Sequence, residues 1–131
     1  MERKILIING KESILQGIRR NFFRAGFESL VLTSSLSEGI KKAETEKPDL
    51  VIIDISLPDL AGFEACREIR RVLKGSAKII AITNSVDAND AAKAREAGAD
   101  DYVVKTKNEF AVINAVRKLD SVKDERDNQN A

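Results

Sequence analysis

Short apolar runs alternate along this chain with stretches in which apolar residues recur every three or four positions. The runs are Ile5-Leu6-Ile7-Ile8, Leu30-Val31-Leu32, Leu50-Val51-Ile52-Ile53, Ile79-Ile80-Ala81-Ile82 and Tyr102-Val103-Val104. Continuous apolarity predicts strands covered on both faces, the habit of parallel sheets. Between the runs, Ile14, Leu15, Ile18 and Phe22 have helical spacing, and Gly26 suits the end of that helix. Ser35 and Glu38 form a capping box for a helix carrying Leu36, Ile40 and Ala43, closed by Pro48. Phe63, Cys66, Ile69 and Leu73 make one face of a third helix, ending near Gly75. The fourth, about Asp87 to Ala97, has an apolar face made almost wholly of alanine. Thr106 and Glu109 form another capping box, opening a helix with Phe110, Ile113, Val116 and Leu119. Five strands alternating with five helices predict an α/β fold whose parallel sheet is covered on both sides.

The chain of 131 residues fits one domain, and the polar stretch 121–131 reads as a frayed helix end or linker. Hydrophobic residues make up 43% and charged residues 33%, which sets the chain apart from disordered sequences. A net charge of +1 argues against a nucleic-acid or membrane surface as partner, so any electrostatics are local. No histidine is present, which excludes serine–histidine–aspartate triads and histidine metal sites. The single cysteine, Cys66, forms no internal disulfide or zinc cage. No apolar stretch approaches membrane-spanning length, and Ile5–Ile8 is too short for a signal peptide. The expected compartment is the cytoplasm.

Ligands of open α/β sheets bind beyond the carboxyl ends of the strands. The residues there are Asn9 and Gly10 after the first run, Asp54 after the third, Thr83 after the fourth and Lys105 after the fifth. A carboxylate directly after four large apolar residues is costly unless paired. Carboxylate, hydroxyl and ammonium at neighbouring strand ends suit transfer of a phosphoryl group onto Asp54, with Thr83 and Lys105 holding the charged oxygens. A buried Asp54–Lys105 ion pair that closes the sheet edge satisfies the same spacing. Gly10-Lys11-Glu12 fails as a phosphate-binding loop, because Ile5 stands at the required upstream glycine and Glu12 at the required hydroxyl. Arg19-Arg20, Lys41-Lys42 and Arg70-Arg71 read as solvated helix faces.

PDLVIID (48–54), LPDLAGFE (57–64), KIIAIT (78–83) and AREAGADDYVVK (94–105), in this order and spacing, resemble the receiver domain of two-component response regulators. The likeness covers roughly Lys4 to Leu119. It implies a doubly wound, flavodoxin-like sheet of order 2-1-3-4-5, a receiver domain at 1–120 and a polar tail at 121–131. It makes Asp54 the phosphoacceptor, Thr83 the hydroxyl that follows the phosphoryl group, Lys105 the ammonium that bonds it and Tyr102 the switch aromatic. Pro58 and Gly62 then shape the loop beside the site. The implied partners are a histidine kinase or phosphorelay protein, and a protein bound through the fourth helix, fifth strand and fifth helix. Residues alone would leave Tyr102 an ordinary packed aromatic.

The chain departs from this family at three places. Asn9 and Gly10 stand where two acids bind a divalent cation, so the magnesium of typical members is not expected here, nor any other cofactor. At best, Asp54 holds a metal weakly. Thr106 replaces a cis-proline, and a trans bond is expected before it. Asn84 replaces a small residue and could narrow access. Lys11 is long enough to turn back towards Asp54 as a substitute for the metal's charge, or else points into water. The expected function is a non-enzymatic signalling receiver with an impaired metal site. Its rival is a phosphorylation-independent interaction module; a flavodoxin-like small-molecule binder lacks the glycine-rich loop it would need.

Overall fold

The computed structural model describes residues 3–9, 12–56, 61–84, 87–105 and 109–129, without the side chains of Glu12 and of 120–129. Gly10, Lys11, Pro58 and Thr106 therefore lie outside the described residues. In chain order the elements are β1 (Ile5–Ile8), α1 (Glu12–Arg24), β2 (Leu30–Thr33), α2 (Leu36–Glu46) and β3 (Leu50–Asp54). Then come α3 (Ala61–Leu73), β4 (Lys78–Thr83), α4 (Ala88–Glu96), β5 (Asp101–Val104) and α5 (Phe110–Gln129). All strand pairs are parallel, and the five-stranded sheet has the order β2-β1-β3-β4-β5. The backbone of α5 continues through the polar stretch to Gln129.

The continuous apolar runs divide their side chains between two cores. Leu6, Ile8, Val51, Ile53, Ile79 and Ala81 face one side, with Ala43 of α2, Cys66 and Ile69 of α3 and Ala94 of α4. Ile5, Ile7, Leu50, Ile52, Ile80 and Ile82 face the other, with Ile18 and Phe22 of α1 and Val112 and Val116 of α5. Strands β1 and β3 are buried throughout, whereas β2 and β5 at the edges are half-buried. That difference is the consequence of having one strand neighbour instead of two.

Local signals act where the pattern places them. Ser35 caps α2 by accepting the Glu38 N–H at 3.2 Å. Gly26 takes φ +98° after α1. Lys74, one residue before Gly75, takes the left-handed conformation after α3.

Four expectations change. Glu109 is not in the first turn of α5; it precedes the helix at φ 59°, and its carboxylate accepts the Asn21 amide of α1. The Thr106 half of the expected capping box lies outside the described residues. Phe110 is 62% exposed and Ile14 36%, so neither belongs to the core face its spacing suggested. Arg70 is no solvated face. Its guanidinium donates to Gly98 O, Lys74 O and Ala77 O and pairs with Asp100 Oδ2 at 2.6 Å. Asp100 also accepts the Ile79 N–H, so Arg70 joins the end of α3 to the starts of β4 and β5. Arg71 matches the expectation: it is exposed and, among the described residues, pairs with Glu68 one turn away.

Candidate functional site

Strand register brings the singled-out residues to one edge of the sheet. β3 extends one residue further than its apolar run, so Asp54 is the last strand residue and sits opposite Ile82. Thr83 likewise ends β4. Ile8 pairs with Ile53, so Asn9 follows at the level of Asp54. The Lys105 N–H donates to Thr83 O at 2.7 Å, which carries the β4–β5 ladder one step past β5 and aims Lys105 back over β3.

Asp54 is 4% exposed. Its Oδ2 accepts from Lys105 Nζ at 2.7 Å, and its Oδ1 accepts the Ser56 N–H at 2.8 Å. A buried carboxylate is tolerable only when paired and hydrogen-bonded, and both conditions are met. Thr83 is 2% exposed, and its hydroxyl lies 3.3 Å from the Ser56 hydroxyl, on the residue whose N–H bonds the carboxylate. Asn9 is buried at 1%. Tyr102 is half-buried against the apolar cluster on the α3 and α4 side, opposite Ala81 in register. The Asn84 side chain is exposed at the rim, and its N–H donates to Ser56 Oγ at 2.8 Å.

Gly62 has a steric role. A Cβ there would lie 2.7 Å from the Ile55 backbone Cα and 3.1 Å from Asp54 O. Only glycine lets the first turn of α3 press against the peptide that carries Asp54.

Sequence reasoning missed two participants. Ser56 forms an Asx-type turn with Asp54, and the Asp-x-Ser spacing was the available signal. The Asn21–Glu109 contact joins α1 to the start of α5 across 88 residues and had no local signal. Cys66 is fully buried beside the α3 core, and burial pushes its thiol up to about 11, beyond ordinary reactivity.

Residues 5–117 match the family profile described as the response regulator receiver domain. The chain belongs to this family. The receiver domain is 39% identical over 105 residues to the alkaline phosphatase synthesis transcriptional regulatory protein PhoP of Bacillus subtilis, which covers 80% of this chain and 43% of that protein. It is 30% identical over 119 residues to the response regulator protein VraR of Staphylococcus aureus, covering 90% of this chain and 56% of that protein. The chain thus spans about half the length of these relatives. Among solved structures, a CheY-like receiver domain protein from Methanospirillum hungatei superposes with a TM-score of 0.81 at 28% identity, covering 95% of this chain and 99% of that one. The receiver sheet order 2-1-3-4-5 implied by resemblance is the one observed. No helix among the described residues is long and apolar enough to cross a membrane.

Proposed function

We propose that this receiver domain takes a phosphoryl group onto Asp54 from a histidine kinase or phosphorelay protein, and that it does so with an impaired divalent-metal site. The observation that carries the reading is the buried Asp54 carboxylate held between Lys105 Nζ and the Ser56 N–H at the carboxyl edge of the sheet. In the transfer, a carboxylate oxygen of Asp54 attacks phosphorus. The new O–P bond forms as the donor's N–P bond breaks, and that electron pair returns to the donor's imidazole nitrogen. Lys105 is near enough to bond the arriving phosphoryl oxygens, whose negative charge takes over part of its present role towards Asp54.

Magnesium asks for several oxygen ligands in an octahedron, usually including one or two carboxylates. The described residues offer one neutral amide oxygen, on Asn9, and the already engaged Asp54. Among the described residues, no three His, Cys, Asp or Glu side chains group to hold a metal. This donor set does not fit a magnesium ion of ordinary affinity. A loss of ~3 kcal/mol of stabilisation would slow transfer about a hundredfold. The same Asn9 favours the second reading, a phosphorylation-independent interaction module. In both readings the domain signals as a cytoplasmic protein, not as an enzyme with its own substrate. The face made by α4, β5 and α5 is the proposed partner surface; β5 and α5 border an open groove lined by Tyr102, Val104, Ala111 and Asn114. Residues 121–131 are the proposed connector.

Intact-mass measurement after acetyl phosphate treatment, with and without magnesium, decides between the readings. Slow addition of one phosphoryl group, abolished by Asp54→Ala, is expected. No addition under any condition selects the interaction module. Brisk addition at ordinary magnesium concentrations overturns the impaired metal site. Asn9→Asp with Gly10→Asp should restore magnesium binding measured by calorimetry.

A further inference from the structure

We propose that the exposed face of α1 around Phe23, with Arg19, Arg20 and Arg24, docks an acidic segment of a partner protein, whose carboxylates meet the arginines and whose apolar side chain covers the phenyl ring. The surface is separate from the α4, β5 and α5 face, and its use does not depend on Asp54.

Charge is unevenly shared among the helices. α2 carries three acids and two bases, α3 two acids and three bases, and α4 two of each. By contrast, α1 from Ser13 onward and α5 as far as Leu119 carry five bases, Arg19, Arg20, Arg24, Arg117 and Lys118, and no acid. All five are exposed. Arg117 donates to Ala25 O at 3.2 Å, so the bases of α5 continue the basic surface at the end of α1. Arg71 on α3 is an exposed arginine with an acid one turn away, whereas α1 offers Arg19, Arg20 and Arg24 none at that spacing within Ser13–Arg24.

Phe23 stands in the middle of this surface. It is 59% exposed, while its neighbour Phe22 is in the core with its ring 5.9 Å from that of Phe27. Arg19 and Arg20 precede Phe23 by one turn, the spacing at which helical side chains are neighbours. A base near a helix C-terminus complements the helix dipole, which accounts for Arg24. The dipole gives no reason for an exposed phenyl ring. Arginine and aromatic side chains together are the composition of protein interfaces, in which arginine meets carboxylates through a two-pronged fork. A lipid surface asks for a whole apolar helix face, and that of α1 already lies in the core through Ile18 and Phe22. With a net charge of only +1, the chain also lacks the wider basic field of nucleic-acid binders.

The place of the patch sets it apart from the phosphoryl-transfer edge. α1 begins at Glu12, just past the carboxyl end of β1, and runs back until Ser29 O accepts the N–H of Ile5 at the start of β1. Phe23 is thus about 17 Å along the helix from Glu12, towards the opposite end of the sheet from Asp54.

The probe is a short peptide of glutamates and aspartates with two leucines, titrated into the full chain and followed by amide shifts. Controls are the same peptide with serines for the leucines, a duplex DNA, and vesicles of phosphatidylcholine with phosphatidylserine. Shifts should gather at Arg19 to Phe27 and at Arg117, and should weaken with added salt. The leucine-free peptide should bind about fivefold more weakly, and Phe23→Ala should weaken the leucine peptide by about the same factor. Arg19→Glu with Arg20→Glu should weaken it at least about tenfold. All these side chains are exposed, and core-strand amide shifts report that each variant is folded. No binding of the leucine peptide, shifts centred elsewhere, or unchanged binding in Phe23→Ala overturns the proposal. Tighter binding of the DNA or the vesicles at the same residues overturns it as well.

Discussion

The Asp54–Lys105 pair should respond asymmetrically to loss of either partner. The carboxylate is 4% exposed, and among the described residues its only contacts besides Lys105 Nζ are the Ser56 N–H. The lysine side chain is 21% exposed and carries its charge on a flexible stem. Lys105→Met keeps most of the stem and strands a buried carboxylate, an event that costs about 3 kcal/mol or more. Asp54→Ala strands an ammonium that can swing into water, and removes the desolvated carboxylate at the same time. Its cost should stay under ~1 kcal/mol, and a small gain in stability is compatible with the geometry. In the Asp54→Ala background, Lys105→Met should then be nearly silent, a coupling of about 3 kcal/mol. Urea denaturation of the four proteins measures this directly. For a domain of this length the single Lys105→Met change corresponds to roughly 10 °C in thermal midpoint. If Asp54→Ala falls as far as Lys105→Met, the pair is a structural closure of the sheet edge, and the argument from unequal exposure fails.

Further outcomes follow from the rest of the molecule. Gly62→Ala should destabilise by about 1–3 kcal/mol, because the backbone contact at 2.7 Å outweighs the helix-propensity gain of alanine. Gly17→Ala, on α1 with nothing within 4 Å of its added Cβ, should stabilise by up to about 1 kcal/mol, and denaturant midpoints of equal sign would contradict the steric reading. Arg70→Ala should cost about 2–4 kcal/mol, and Arg70→Lys should fail to rescue it, since a single ammonium cannot reproduce the fork that meets Gly98 O, Ala77 O and Asp100. Cys66 takes up its proton more tightly folded than unfolded, with its value raised from 9.0 to about 11. Its contribution to stability is complete below pH 9 and is lost as the pH rises through about 11. Denaturation midpoints of Cys66→Ala and the unaltered chain should therefore converge over that window. Amide exchange should be faster in α4, whose only buried residue is Ala94, than around Ile18 and Phe22 of α1; equal protection counts against area as the cause.

The chain's own pattern determined the architecture. β1 is apolar at every position and β3 at every position before Asp54 because both of their sides are covered, and runs this short are too brief for helices. Ser35 and Gly26 acted where they stand because caps and left-handed turns depend on neighbours within a few residues. The site edge was legible for the same reason: Asp54, Thr83 and Lys105 end their apolar runs, and parallel register brings strand ends together. What the tertiary structure alone decided lies across long separations. Arg70 looked like a solvated charge beside Arg71, and only the approach of Gly98 and Asp100, 28 and 30 residues away, turned it into a clamp. Glu109 lies before the first turn of α5 and accepts from Asn21, 88 residues earlier, a partner that no local spacing announces. Phe110 and Ile14 have helical spacing but face solvent, since periodicity reports a helix face and not what covers it. Ser56 gained its place between Thr83 and Asn84 only once β4 lay against β3, a contact of 27 and 28 residues' separation that no nearby sequence can encode.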